Sequence, residues 1–277
     1  MPRDVQTETY YADRDDKFLS EKPYELKFLP PEALPLTNMT WSRHDGIHVT
    51  DIRGHESQYT AREHGFQLSS MSTTLAYGDF DDTQKVEQVY TKEVAECLRS
   101  KLNAARVLVF DYNIRKSQVQ YPLSSGETAP FETPATIVHI DSTPSWTAHM
   151  HKHYCKSDPD LAKFTRYQYV NLWRPLRGPV TKWPLMLCDW STYEPDQDSI
   201  ARDIVYPDDA VETYVIYHNP NHRFYYVSQQ TSEEVWIMVQ TDSSHAKGVP
   251  HTAFPTAPHV HEEERESIEV RALAYYD

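Results

Sequence analysis

The run Ala-Thr-Ile-Val-His-Ile-Asp, residues 135–141, is apolar and β-branched until it ends on His139 and Asp141. β-branched residues in a short run favour a strand. On a strand, side chains two residues apart share a face, so both end residues can reach one point in space. Seven more runs share this texture: ARVLVFDYNI (105–114), RYQYVNLW (166–173), WPLMLCDW (183–190), VETYVIYH (211–218), RFYYVSQQ (223–230), EVWIMVQT (234–241) and SIEVRALAYY (267–276). Proline, Asn-Pro-Asn and acidic or Ser-rich turns separate them. Many short strands with turn punctuation predict a mainly β chain, an antiparallel sandwich or jelly roll with the cupin-like double-stranded β-helix among the options.

Upstream, Val86, Val89, Tyr90, Val94, Leu98 and Leu102 recur at helical spacing and predict a flanking helix, with Thr83 as its cap. Residues 1–40 are polar and carry Pro23, Pro30, Pro31 and Pro35, which predicts an extended arm. The expectation is therefore one domain over residues 1–277, with a jelly-roll core at 105–277. A doubly wound α/β fold needs helices between its strands, and the sequence does not supply them.

Composition removes several functional classes. The chain has 27 basic against 41 acidic residues, a net charge of −14, which disfavours phosphate backbones and anionic lipid. No apolar run approaches the roughly 18–20 residues of a membrane span, and the charged N-terminus lacks a signal-peptide core, so a cytoplasmic location is expected. Cys97, Cys155 and Cys188 form no CxxC pair, which disfavours disulfide frameworks and thiolate zinc sites. The sequence has neither GxGxxG nor a P-loop, and no GxSxG elbow for a triad hydrolase.

Three histidine sets compete for a metal. With 14 histidines and 41 acidic residues, about two His-x-acid triplets are expected by chance, so His139-Ile-Asp141 alone is a weak signal. The other such triplet, His261-Glu262-Glu263, follows no strand and reads as a solvated turn. Order strengthens the first: His251 follows in GVPHTAF after further strands, then Arg265-Glu-Ser267 opens the last strand. Two imidazoles and one carboxylate hold Fe(II) and leave positions open for a bidentate 2-oxoacid and for oxygen. An arginine fork with a serine hydroxyl suits the distal carboxylate of 2-oxoglutarate. Arg265 is the first candidate for that clamp, and Arg271, six residues on and in phase, is the second. Arg115-Lys-Ser117 precedes the triplet and has the wrong order. His149, His151 and His153 lie in TAHMHKHYC without the acidic residue of HExxH, and read as a solvated helix or loop. His218-Asn-Pro-Asn-His222 reads as a hairpin tip.

TIVHIDST (136–143), YVNLWRPLRGPVTKWPLMLCD (169–189), GVPHTAF (248–254) and RESIEVRAL (265–273), with DIRGHESQYTAREHGFQL (51–68) upstream, resemble a largely fungal hydroxylase/desaturase family. That family is related to a cephamycin methoxylase subunit and to gibberellin desaturase-like proteins. The resemblance implies a double-stranded β-helix, Fe(II) and 2-oxoglutarate, a small secondary-metabolite substrate, and hydroxylation, desaturation or ring formation. It implies the ligands His139, Asp141 and His251, the clamp Arg265, and pocket positions for Asn171 and Arg174. The residues leave two alternatives open: a cupin-type metal enzyme that does not use 2-oxoglutarate, and a non-catalytic jelly-roll binding protein.

Overall fold

The computed structural model describes residues 3–30, 34–116, 135–256 and 264–277. Ser117 and the His261-Glu262-Glu263 triplet lie outside them. The described residues contain fourteen strands: β1 Val5–Ala12, β2 Tyr24–Leu26, β3 Trp41–Asp51, β4 Phe66–Ser70, β5 Arg106–Lys116, β6 His139–Ile140, β7 Arg166–Pro175, β8 Leu185–Cys188, β9 Ser199–Val205, β10 Ala210–Ile216, β11 Phe224–Tyr226, β12 Glu234–Asp242, β13 His251–Ala253 and β14 Glu266–Tyr276.

They form two sheets. One has nine strands in the order β1-β3-β11-β8-β13-β6-β10-β9-β2, and the other has five in the order β4-β12-β7-β14-β5. Isolated bridges Tyr10↔Ile137 and Ala12↔Tyr217 bring β1 back against the segments around β6 and β10, so the larger sheet curls on itself. This is the jelly-roll class that the strand pattern predicts.

Part of the segment expected as an extended arm, Val5–Ala12, is a strand of the larger sheet. Thr7, Thr9 and Tyr11 alternate inward along β1, which pairs antiparallel with β3 from Val5↔Val49 to Ala12↔Trp41. The predicted helix is present in altered form. Asp82, one residue before Thr83, is the cap and accepts from the Gln84 and Lys85 amides. A π turn at Val86–Tyr90 then leads into the α-helix Thr91–Leu102. A second long helix, Pro144–Ser157, follows β6, capped by Thr143 with proline in its first turn. Among the described residues, no helix is long and apolar enough to cross a membrane.

Strand alternation divides the five-stranded sheet. Val170, Leu172, Val235, Ile237, Ile268 and Val270 face the helix, packing on Val86, Tyr90, Val94 and Leu98. The intervening residues face the nine-stranded sheet, where Trp173, Trp236 and Met238 meet Leu185, Leu187 and Val249. Burying each large side chain contributes roughly 1.5–3 kcal/mol, so this layer holds the sheets in a fixed register. Asn171, Ser267, Glu269 and Arg271 lie on that same inner face by the two-residue period.

Candidate metal centre

β6 is short and lies between β13 and β10. His139 pairs with His251 on one side and Val215 on the other, so the two imidazoles are direct neighbours on one face. Their ring centroids are 4.5 Å apart. Each ring has its Nδ1 beside a carbonyl two residues earlier: His139 with Ile137 at 2.8 Å, His251 with Val249 at 3.1 Å. An Nδ1–H donated to a carbonyl leaves the Nε2 lone pair for a metal. Both Nε2 atoms face Asp141 Oδ1, at 3.2 Å for His139 and 4.0 Å for His251. The three ligand atoms all lie within 4.8 Å of one another, and among the described residues no other group of three His, Cys, Asp or Glu is drawn this close.

The opposite sheet holds the carboxylate. Asn171 on β7 donates Nδ2 to Asp141 Oδ2 at 2.6 Å, and Arg271 Nε on β14 lies 3.5 Å from that oxygen. Gln240, the extra residue of a bulge in β12, accepts the Asp141 amide at 2.8 Å. Gly248 leaves room for that bulge, because a Cβ there would come within 2.0 Å of the Gln240 carbonyl oxygen. Burial pushes the Asp141 carboxyl up, but the Arg271 guanidinium and the two histidines hold it well below the usual range. Burial, with His139 adding, lowers the His251 imidazole to about 4, so it is neutral near pH 7, as a ligand must be.

Arg271 is committed elsewhere. Besides Asp141 it pairs with Asp111 at 2.9 Å and Glu269 at 3.0 Å. Burial and the nearby Asp141 push the Glu269 carboxyl up. Arg265 is buried, donates Nη1 to the Trp183 carbonyl at 2.6 Å and lies 5.4 Å from the Trp173 ring. Ser267 Oγ beside it is buried without a hydrogen-bond partner. Such an orphaned hydroxyl in phase with the ligand-holding residues fits an anionic co-substrate, and two imidazoles with one carboxylate fit Fe(II).

One expected pocket residue is corrected. Arg174 is three positions from Asn171 and faces the helix side, with its guanidinium 5.9 Å from the Phe80 ring and 5.7 Å from the Tyr90 ring. The other histidine sets stay apart from the triad. His149 stacks on Trp146, His151 on Tyr167 and His153 meets Tyr154 edge-on. His222 pairs with Asp198 at 3.1 Å, while His218 stacks on His44. Two residues were missed: Gln240, and Arg115, which lies opposite Ser267 and acts electrostatically on His251 and Glu269. The signal for Arg115 was the polar alternation Asp111, Asn113, Arg115 on an otherwise apolar strand.

The chain is similar over most of its length to several known proteins. The hydroxylase/desaturase efuI of Hormonema carpetanum is 29% identical over 250 residues, covering 83% of each chain. The alpha-ketoglutarate-dependent dioxygenase tstK of Talaromyces stipitatus is 28% identical over 257 residues, covering 89% of this chain and 92% of its own. The solved structure of the iron and alpha-ketoglutarate-dependent endoperoxidase NvfI superposes with a TM-score of 0.83 at 26% identity, over 99% of this chain and 98% of that one. By its match over residues 9–275, the chain belongs to the family described as YDMC, oxidoreductase/YMDC permease-like domain.

Proposed function

We propose that the chain is a mononuclear non-heme iron(II) oxygenase that uses 2-oxoglutarate and O2 to oxidise a small secondary-metabolite substrate, within one oxygenase domain. The observation that carries this reading is the convergence of His139 Nε2, His251 Nε2 and Asp141 Oδ1, with both Nδ1 atoms tied back to carbonyls. Relatives named as alpha-ketoglutarate-dependent dioxygenases and an iron-dependent endoperoxidase support the choice of metal and co-substrate. When bound, iron with 2-oxoglutarate supplies an oxidant made from O2, and the co-substrate leaves as succinate and carbon dioxide.

The residues divide that work. His139 and His251 through Nε2 and Asp141 through Oδ1 would hold the metal, which would supply the activation of O2 there. Arg265 and Ser267 hold the distal carboxylate of 2-oxoglutarate, since Arg271 is already engaged by three carboxylates. Asn171 and Arg271 fix the rotation of Asp141. Trp173 and Trp236 wall the inner layer and exclude water. The net charge of −14 favours a small molecule over nucleic acid as the partner. The test is anaerobic loading with Fe(II) and 2-oxoglutarate, followed by oxygen and measurement of succinate. Iron-dependent succinate formation that His251→Ala abolishes is the expected result; succinate without iron, or none with it, overturns the reading.

A further inference from the structure

The inner face of the nine-stranded sheet carries one more polar pair beside the metal ligands. Thr213 on β10 and Arg202 on β9 are direct partners in antiparallel register, so their side chains share a face. Val215, two residues from Thr213, sits opposite His139, which puts His139, Thr213 and Arg202 on that face together. Continued by one residue, this register sets Thr213 beside Asp141.

Both side chains are buried, 4% exposed for Thr213 and 6% for Arg202. Thr213 Oγ1 and Arg202 Nε are sealed from water and have no hydrogen-bond partner. Arg202 Nη1 donates to Glu25 Oε2 at 2.7 Å, a carboxylate that Lys27 also contacts through Oε1 at 2.5 Å, so the Arg202 charge is partly matched. What remains is one N–H and one hydroxyl, not a free cation. Apolar groups share the face with these charges: Val215 and Ile200 lie on it, and the Trp41 ring is 5.8 Å from the Arg202 guanidinium carbon.

Buried donors are rarely left unpaired, and two on adjacent strands call for a shared acceptor. Strand order says which side of the metal that acceptor occupies. Arg265 bonds to the Trp183 carbonyl just before β8, and the strands then run β8-β13-β6-β10-β9. Arg265 and Arg202 therefore lie on opposite sides of His251 and His139.

We propose that Thr213 and Arg202 form the recognition subsite for the oxidised substrate, with Oγ1 and Nε donating to one neutral carbonyl oxygen, a ketone, ester or lactone, on an apolar skeleton. Glu25 on Arg202 and Asp141 beside Thr213 together disfavour a further carboxylate there. Strands spaced about 4.8 Å apart put that oxygen roughly 5–10 Å from the His139 strand, which sets the separation between the carbonyl and the carbon attacked. The proposal rests on reading the triad as the iron centre.

The test compares β-tetralone with tetralin, a bicyclic ketone and its hydrocarbon, by equilibrium binding to the Fe(II)- and 2-oxoglutarate-loaded protein under argon. Wild type should prefer the ketone by about fivefold or more, the worth of two ordinary hydrogen bonds. Thr213→Val removes the hydroxyl and keeps the shape. Arg202→Lys keeps a cation for Glu25 and removes Nε. Each should erase most of the preference while iron content and 2-oxoglutarate affinity stay unchanged, which a purely structural ion pair would not produce. If Arg202→Lys lowers the melting temperature, Thr213→Val decides alone. No ketone preference in wild type, or full preference in Thr213→Val, overturns the subsite. Succinate formation on wild type is scored separately, so failure of the iron reading is distinguishable from failure of this one.

Discussion

Asn171 Nδ2 donates to Asp141 Oδ2 at 2.6 Å, across the layer between the two sheets. Because the histidines face Oδ1, the carboxylate is divided: one oxygen is held and the other offered. Groups that orient metal ligands typically carry 10–100-fold in metal affinity. Asn171→Ala is therefore expected to weaken Fe(II) or Co(II) binding by about 10–100-fold in a competitive titration, with the melting temperature shifted by only a few degrees. Unchanged metal affinity would remove Asn171 from this role.

His139→Ala, Asp141→Ala and His251→Ala should each abolish stoichiometric iron binding and activity. The apo fold should persist, because the layers around the site are apolar. Iron analysis beside circular dichroism checks both halves of the statement.

Arg265→Ala and Arg271→Ala should fail in different ways. Loss of one partner of a buried charge pair typically costs about 2–5 kcal/mol. For Arg265→Ala that cost should fall on the half-saturation for 2-oxoglutarate, with iron binding nearly intact. For Arg271→Ala it should fall on iron binding and on stability, because Asp141, Glu269 and Asp111 lose their common partner. A 2-oxoglutarate defect confined to Arg271→Ala would move the clamp to that residue.

Asp242 provides a stability prediction away from the metal. Burial pushes its carboxyl up, but Arg166, Ser244 and Gln168 hold it down, to about 2 from the ordinary 3.8. A depressed carboxyl stabilises the fold above its unfolded value, and that stability is lost as pH falls through the folded value. About 2 kcal/mol should therefore disappear between roughly pH 4 and pH 2. Denaturant titrations of wild type and Asp242→Asn across that window should show a loss of stability smaller by about that amount in the variant.

His149→Ala combined with His153→Ala should leave bound iron and activity near wild type, since these rings contact Trp146 and Tyr154 and not the triad. A fall to half the bound iron would count against the site.

The buried strands were legible because β-branched residues with period-two polarity announce them, and the candidate ligands stood out because His139 and Asp141 close such a run and His251 follows it in order. β1 and β3 were not, since TETYY and SRHDGIH carry charged and polar residues on the exposed side and resemble loop. Arg174 was misplaced because a likeness to relatives names positions without faces; an odd offset of three from Asn171 already put it on the other side of the strand. The cap was set one residue late because Asp82 and Thr83 both offer a side-chain oxygen, and only the backbone decides between them. Gln240 was invisible because a bulge reverses the face of every later residue on its strand, and nothing in VWIMVQT marks it.

The ligands come from one sheet and the groups that steer Asp141 from the other. A strand that slips by one residue moves about 3.3 Å and turns every side chain over. Iron affinity in this protein is thus a ruler laid across the sandwich: it reads the registry between two sheets to a fraction of a residue. Substitutions that loosen how the halves dock should show in metal binding well before they show in melting.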